Sequence, residues 1–573
     1  MVIAVIVGAG AGGGAIVFRM CIKTFTHLLS GHDDYAAAGG SANPHVPWLG
    51  PFFVLIVPII GGLLYGPLVN RFAKEARGHG VPEVMLAVAQ KGSRISPKVA
   101  VVKTIASALT IGSGGSVGRE GPIVQIGAAL GSTLGRLVKL TEDRMKLVVA
   151  CGAAGGIAAT FNAPLAGVFF AMELILGTFS AEAFGATVLA SVTASVIGRA
   201  KFGNAAFLTL PDFHVDHLVQ YALFALLGVL AGALGVGFMR VLYAIEDLCD
   251  WAYRGPEWLR PAAGGLLLGL VLLALPEMYG VGYPVLQNAT EGKYAIGFLL
   301  LLVVGKMIAT SLTIGIGGSG GVFAPGLFIG ACFGAAFGAV VHDVMPGSGG
   351  AVGAYALVGM GAVFSGSARA PITAVVILFE LTGEYSIILP MMLAIVLATV
   401  VSKLMTGDTI YTLKLRRRGI DLGGPVAGAP IGGQLVSSVM EPLPAPLSAS
   451  TPLADAADLL SLSDHGALPV HDERDGYRGV VTAQAAAEAL AEQPDGAPAT
   501  AGDLAQLPAR ITADQPLAAA LHHLVSASGG VPVLDTETDQ PVGWLSHQGA
   551  LRALHPGTAR VAAARTQPEP VSA

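Results

Sequence analysis

The sequence predicts an all-α polytopic membrane protein followed by a smaller α/β domain. Three observations predict it. Of 573 residues, 53% are hydrophobic and only 12% charged, whereas soluble domains carry about a quarter charged residues. Leu218–Met239 and Met307–Val341 hold no Asp, Glu, Lys or Arg, and about 20 apolar residues suffice to cross the hydrocarbon. Near residue 415 the composition turns polar, and helix-period and strand-period stretches then alternate.

Taken in chain order, residues 1–415 are a run of apolar segments, several too short or too Gly/Pro-broken to span as simple helices. The 78 glycines suit this, because glycine lets helices approach closely and lets a helix break where it lines a cavity. The chain opens in an apolar run with no basic stretch before it, so no cleavable signal peptide is expected. Cys21, Cys151, Cys249 and Cys332 stand apart in apolar segments without metal-ligand spacing and read as small core residues. The basic cluster Lys414–Arg418 puts the polar domain on the cytoplasmic side. A linker, 416–433, leads into that domain, 434–556, and residues 557–573 read as a disordered tail. With a net charge of −5 and no basic stretch interleaved with aromatics, nothing points to a nucleic-acid partner.

Both parts repeat internally. In the polar domain, 451–490 resembles 515–554, each reading helix, strand, turn, strand, helix. In the apolar part, "FNAPLAGVFFAME" (161–173) matches "SARAPITAVVILFE" (367–380). In both copies Glu stands nine residues after the proline, Glu173 after Pro164 and Glu380 after Pro371. Each copy follows a glycine-rich break ending in proline, "GREGP" (118–122) or "GGVFAP" (320–325). Paired broken segments in two halves, about 1–205 and 206–415, predict an inverted-repeat transport fold with the substrate site between the halves.

The motifs point to an anion. A break followed by a new apolar helix creates a helix N-terminus inside the membrane, with free N–H groups and roughly half a positive charge. The candidates are "GHGVP" (78–82), "GREGP" and "GGVFAP". Several converging on one point hold an anion without a full cation in the pore. Glu120 in "GREGP" then reads as a tethered anion that competes with the permeant one and is released by protonation. The alternative is a structural ion pair of Arg119 and Glu120 with neighbours. Two glycine patterns mimic a dinucleotide fingerprint: Gly8, Gly10 and Gly13 with Asp33 downstream, and Gly315, Gly317 and Gly320. Neither sits in a βαβ pattern, and helix packing accounts for them. No phosphate loop of the form G-x-x-x-x-G-K-[ST] is present.

The motifs "GHGVPE", "GREGP-x-VQIG", "FNAPLAG", "GGVFAP" and "RAPIT" followed by an acid, in this order, resemble the CLC chloride channels and chloride/proton exchangers over about residues 1–415. The resemblance implies a homodimer in the plasma (inner) membrane, with one chloride pathway per subunit. It implies that Glu120 gates, and that Gly80, Gly118, Arg119, Gly321, Val322 and Phe323 lie along the anion site at the helix starts. It implies that the Tyr411 hydroxyl coordinates the central anion; an interfacial belt tyrosine is the alternative.

Two departures from that pattern matter. His79 stands where chloride-selective members carry serine. It reads either as a neutral imidazole donating an N–H, or as a group that gains charge beside the anion below about pH 6.5. The internal glutamate that relays protons in the exchangers falls at Leu174, which cannot relay. Glu173, one residue earlier, points elsewhere on a helix and reads as a structural acid, as does Glu380. Channel-like or weakly proton-coupled conduction is therefore the first expectation, with chloride/proton antiport the alternative.

The tail resembles a cystathionine-β-synthase-type (CBS) domain pair. Such pairs hold adenine nucleotides through a Ser or Thr and an Asp three residues on. Here Thr482 and Ser546 are followed by Ala485 and Gly549, so a structural or dimer-stabilising role is expected, with no cofactor or metal required and an adenine nucleotide at Thr482 and Ser546 the alternative. A membrane-embedded nucleotide-dependent enzyme and an ion sensor are the competing classes.

Overall fold

The computed structural model describes all residues except 204–216, 347–349, 421–433, 473–475, 493–499, 526, 528 and 555–573. Most of the expected linker, the expected tail and the boundary between the expected halves lie outside the described residues. The chain divides into two units, Met1–Gly419 and Ile420–Ala573.

The first unit is helical. Its first half holds α1 (Val2–Ser30), α2 (Phe53–Phe72), α3 (Val81–Gln90), α4 (Pro97–Gly112), α5 (Glu120–Leu137), α6 (Glu142–Phe161), α7 (Pro164–Phe170) and α8 (Ala181–Phe202). The second half holds α9 (Leu218–Ala252), α10 (Arg260–Ala274), α11 (Tyr283–Thr290), α12 (Ile296–Gly315), α13 (Phe323–Val344), α14 (Val352–Ala368), α15 (Pro371–Thr382) and α16 (Ile388–Met405). A short α17 (Thr412–Arg416) comes next. Among the described residues, eight helices are long and apolar enough to cross a membrane. Others fall short: α3 has 10 residues and α11 only 8. Proline in the first turn of α3, α4, α7, α11 and α15 ends the preceding segment and costs no helical hydrogen bond there.

The two halves share one packing plan. α5 packs on α6 and α13 on α14; α1 packs on α6 and α8, and α9 on α14 and α16. Small residues permit this, as where Gly127 meets Gly152 and Gly330 meets Gly359 backbone to backbone. The halves are stitched together by equivalent bonds. Ser116 N–H donates to Thr313 Oγ1 at 3.1 Å, and Ser319 N–H to Thr110 Oγ1 at 3.2 Å. Gly118 and Gly321 exchange both backbone hydrogen bonds at 2.7 Å as an isolated antiparallel bridge. Two buried lysines close the glycine breaks. Lys103 donates to the carbonyls of Ala76 and Gly78, and Lys306 to those of Gly280 and Val281 and to Ser116 Oγ. The breaks turn back through Gly114 (φ 99°) and Gly317 (φ 102°), a left-handed conformation that a side chain would strain.

The second unit is a repeated α/β structure. β1 (Leu447–Ser448), β2 (Ala467–Asp472) and β3 (Gly476–Thr482) form one sheet, with β1 parallel and β3 antiparallel to β2. β4 (Ile511–Thr512), β5 (Val531–Leu534) and β6 (Pro541–Leu545) form a second of identical topology. Helices α18 (Leu453–Ser461), α19 (Ala483–Glu492), α20 (Ala501–Leu504), α21 (Leu517–Val525) and α22 (His547–Leu554) complete it. Trp544, fully buried, packs against Ala467 and Val480 and joins the two repeats.

Candidate functional site

The glycine breaks bring three helix starts together. α3 begins after Gly80, α5 at Glu120 and α13 at Phe323. The bridges Gly78–Ser319 and Gly118–Gly321 tie these starts to one another across the halves. Free N–H groups at such starts favour negative charge. Glu120 supplies it: its side chain is buried, and Oε2 accepts from Ala324 N–H at 3.4 Å. A methyl group on Gly118 would overlap Glu120 Oε2, so glycine leaves the room in which the carboxylate lies back on the bridge. Val322 and Phe323, also buried, form the start of α13 beside it. Arg119 donates to Thr160 O at 3.4 Å, and its guanidinium stands 5.7 Å from the Phe161 ring centre and 4.9 Å from that of Tyr283. Arg119 is thus packed by aromatic rings, and the carboxylate by backbone and hydroxyl donors.

His79 is 3% exposed, and neither ring nitrogen has a hydrogen-bond partner among the described residues. Burying unpaired polar atoms is costly, so the two ring nitrogens are available to a partner outside the described residues. Its ring centre is 6.3 Å from that of Tyr243. The charged groups that act on it, Lys414, Lys103 and Arg418, are all cationic. Tyr411, buried at the start of α17, lies within electrostatic reach of Glu120. The bridges thus bring the starts of α3, α5 and α13 to one place, with His79 on the turn into α3, and helix starts of this kind can hold a small anion.

Glu173 does not face this place. It lies in a π-helical turn, Ala171–Leu176, that continues α7. Its carboxylate accepts from Ile372 N–H at 3.2 Å, Thr373 N–H at 2.9 Å and Thr373 Oγ1 at 2.7 Å, capping α15. Glu380 in α15 accepts from Leu165 N–H at 3.0 Å and Ala166 N–H at 2.7 Å, capping α7. The two repeat acids thus clasp each other's helices. Leu174 is buried in the turn, which packs against α3 and α6.

In the tail, Thr482 Oγ1 accepts from Ala485 N–H at 3.2 Å and Ser546 Oγ from Gly549 N–H at 2.9 Å. Each hydroxyl caps the helix that begins beside it. Cavities of about 270 and 600 Å³ adjoin Thr482 and Ser546. The carboxylate that would grip a ribose is replaced by Ala485 and Gly549, so these residues do not fit an adenine nucleotide held in that way. The first glycine fingerprint lies wholly inside α1, where Gly8 packs on Ala190 and Gly12 on Ala194, so it forms no strand-to-helix turn for a phosphate.

Sequence reasoning misses one site residue. Tyr283 Oη donates to Glu120 Oε1 at 3.0 Å. A signal for it exists: "GVGYP" (280–284) repeats "GHGVP" (78–82), with both glycines of each copy at positive φ. The start of α11 is therefore the second-half counterpart of the start of α3.

Comparison with known proteins agrees with this architecture. A sequence model described as voltage gated chloride channel matches residues 61–403, and a CBS domain model matches 436–492. The chain is 33% identical to a putative chloride channel protein ClcB-like of Ralstonia nicotianae, over 75% of this chain and 100% of that protein. It is 35% identical to the H(+)/Cl(-) exchange transporter ClcA of Vibrio parahaemolyticus, over 73% of this chain and 89% of the relative. Among solved structures, a slow cyanobacterial Cl-/H+ antiporter superposes with a TM-score of 0.65 at 28% identity, covering 73% of this chain and 97% of its own. A eukaryotic CLC transporter, at 21% identity and a TM-score of 0.64, shares the fold over 96% of this chain and 97% of its own.

Proposed function

This chain belongs to the voltage gated chloride channel family, and from that premise we propose that it carries chloride across the membrane in exchange for protons, along a pathway that Glu120 closes. The observation that carries the reading is the seat of Glu120. Its carboxylate occupies the point where the starts of α5 and α13 meet, which is where a permeant anion would bind. Protonation removes the charge that holds it, frees the seat and loads a proton on the same side chain. The anion then rests against the starts of α3 and α13, with Tyr411 and an N–H of His79 as polar partners.

Exchange is preferred to channel-like conduction, the first expectation from the sequence. That expectation rests on Leu174 alone, whereas relatives at 35–36% identity bear the name of H(+)/Cl(-) exchange transporter. Uncoupled conduction is the second reading, and the apolar Leu174 favours it, because no side chain there relays a proton from the other face. The membrane unit works as a homodimer in the inner membrane, with the CBS pair cytoplasmic and structural. Supporting that last role, the Thr482 and Ser546 hydroxyls are engaged as helix caps.

The test is chloride efflux from liposomes holding the purified protein. Wild-type flux rises as pH falls, and Glu120→Gln carries chloride at every pH. Flux in Glu120→Gln that stays pH-gated removes the gate.

A further inference from the structure

The residue in contact with Glu120 that the chloride pathway does not itself explain is Tyr283. We propose that Tyr283 is a positioning residue that latches the Glu120 carboxylate in its closed seat. The inference rests on the reading of Glu120 as the gate, and it adds the device that sets how firmly the gate is shut.

Tyr283 opens α11, whose start is fixed by Gly282 at φ 87° and by Pro284 in the first turn. Lys306 pins the preceding turn through the carbonyls of Gly280 and Val281. The hydroxyl is thereby carried on a rigid helix start. It donates to Glu120 Oε1 at 3.0 Å, while Oε2 takes the Ala324 N–H at 3.4 Å. The two oxygens thus have separate anchors, one from α13 and one from α11, beside a backbone hydrogen bond at Glu120 itself. The Ala324 contact is long, so the tyrosine bond is the firmer of the two. Hydrogen bonds to an ionised acceptor are the stronger kind.

The surroundings favour a latch. The Arg119 guanidinium lies 4.9 Å from the centre of the Tyr283 ring, within the range of a cation–π contact. Tyr283 also lines a cavity of about 250 Å³ whose charged walls are Arg19, Lys23, Arg119, Asp33 and Asp34, with Lys23 paired to Asp33 at 3.0 Å. Tyr283 therefore touches both the seated carboxylate and a cavity of mixed charge. The other titratable groups that act on Glu120 are Arg119 beside it, Tyr411 from α17 and Lys306 from α12. Arg19 of α1 acts on Arg119 and Tyr283. Tyr283 donates a side-chain hydrogen bond to the carboxylate and also has a side-chain hydrogen bond with Arg119.

The sign is set by which state the bond favours. The hydroxyl stabilises the seated, ionised carboxylate. Without it, protonation and release occur at lower proton concentration, so the pH midpoint of chloride flux moves upward. A hydrogen bond to a charged group corresponds to roughly a tenfold change or more, which is about one pH unit in the midpoint.

The experiment is chloride efflux against pH in liposomes for wild type, Tyr283→Phe, Glu120→Gln and the double variant. Phenylalanine keeps the ring that packs against Arg119. The expected result is a midpoint about one unit higher in Tyr283→Phe. Glu120→Gln and the double variant should share one flat profile, since the latch has nothing left to hold. An unmoved midpoint in Tyr283→Phe, with a flat Glu120→Gln, overturns the latch and leaves the gate standing. A pH-gated Glu120→Gln overturns the gate and the latch with it. A double variant that differs from Glu120→Gln in its pH profile shows Tyr283 acting elsewhere, and also overturns the proposal.

Discussion

Replacing Glu173 with alanine should loosen the clasp between the two halves without touching proton coupling. The carboxylate accepts three hydrogen bonds, at 3.2, 2.9 and 2.7 Å, from the start of α15. Bonds to a charged acceptor contribute about 1.5–3 kcal/mol each in a buried setting. Glu173 is half-buried, so solvent screening brings this toward about 1 kcal/mol each. The expected loss is about 2–4 kcal/mol for Glu173→Ala. Glu380→Ala should cost somewhat less, because it removes two bonds, at 3.0 and 2.7 Å. The glutamine variants keep an acceptor and should lose about half as much. Thermal unfolding of the detergent-solubilised protein measures the loss, and liposome flux with proton recording measures coupling in the same preparations. Wild-type stability in Glu173→Ala together with lost proton coupling would refute the clasp and make Glu173 a relay.

Other outcomes depend on single contacts. His79→Ser replaces one neutral donor with another beside the cationic Lys414, Lys103 and Arg418, so the acid side of the flux profile should be unchanged, and a flattened acid side would show that the ring gains charge. Tyr411→Ala should weaken chloride binding by calorimetry, and unaltered binding returns Tyr411 to a packing role. Gly118→Ala puts a methyl group against Glu120 Oε2, so flux near neutral pH should rise, and a fall would show that the bridge to Gly321 matters more. Thr482→Ala removes a helix cap, worth about 1 kcal/mol, and should speed amide exchange in β3 and α19. Added ATP should leave that exchange unchanged in the wild type, and protection by ATP would show that the CBS pair holds nucleotide after all.

Much of the architecture is legible in the sequence because the constraints are local. Glycine breaks followed by proline mark helix starts in any apolar chain, and helices do start at Glu120 and Phe323. The repeat around Pro164 and Pro371 predicts two halves, and α5 packs on α6 as α13 packs on α14. The apolar composition and the polar tail predict the two kinds of domain for the same reason. Partners are not legible, because they depend on which distant segments meet. Glu173 reads as a structural acid, but nothing in the sequence says that it caps α15 while Glu380 caps α7. Tyr283 escapes notice although "GVGYP" repeats "GHGVP", because proline–acid spacing marks the other repeats and this copy has no acid. The pairing of Lys103 and Lys306 with the glycine breaks is hidden for a similar reason. A lone lysine in an apolar helix carries no sign of the carbonyls it will meet.

The most direct test of proton-coupled chloride transport gated by Glu120 is chloride efflux from liposomes with proton movement recorded at the same time, for wild type and Glu120→Gln. The expected result is that a chloride gradient drives protons uphill through the wild type, and that Glu120→Gln carries chloride with no proton movement at any pH. Wild-type chloride flux without coupled protons would contradict exchange and leave Leu174 as the reason. Absence of any chloride flux would contradict the central claim itself.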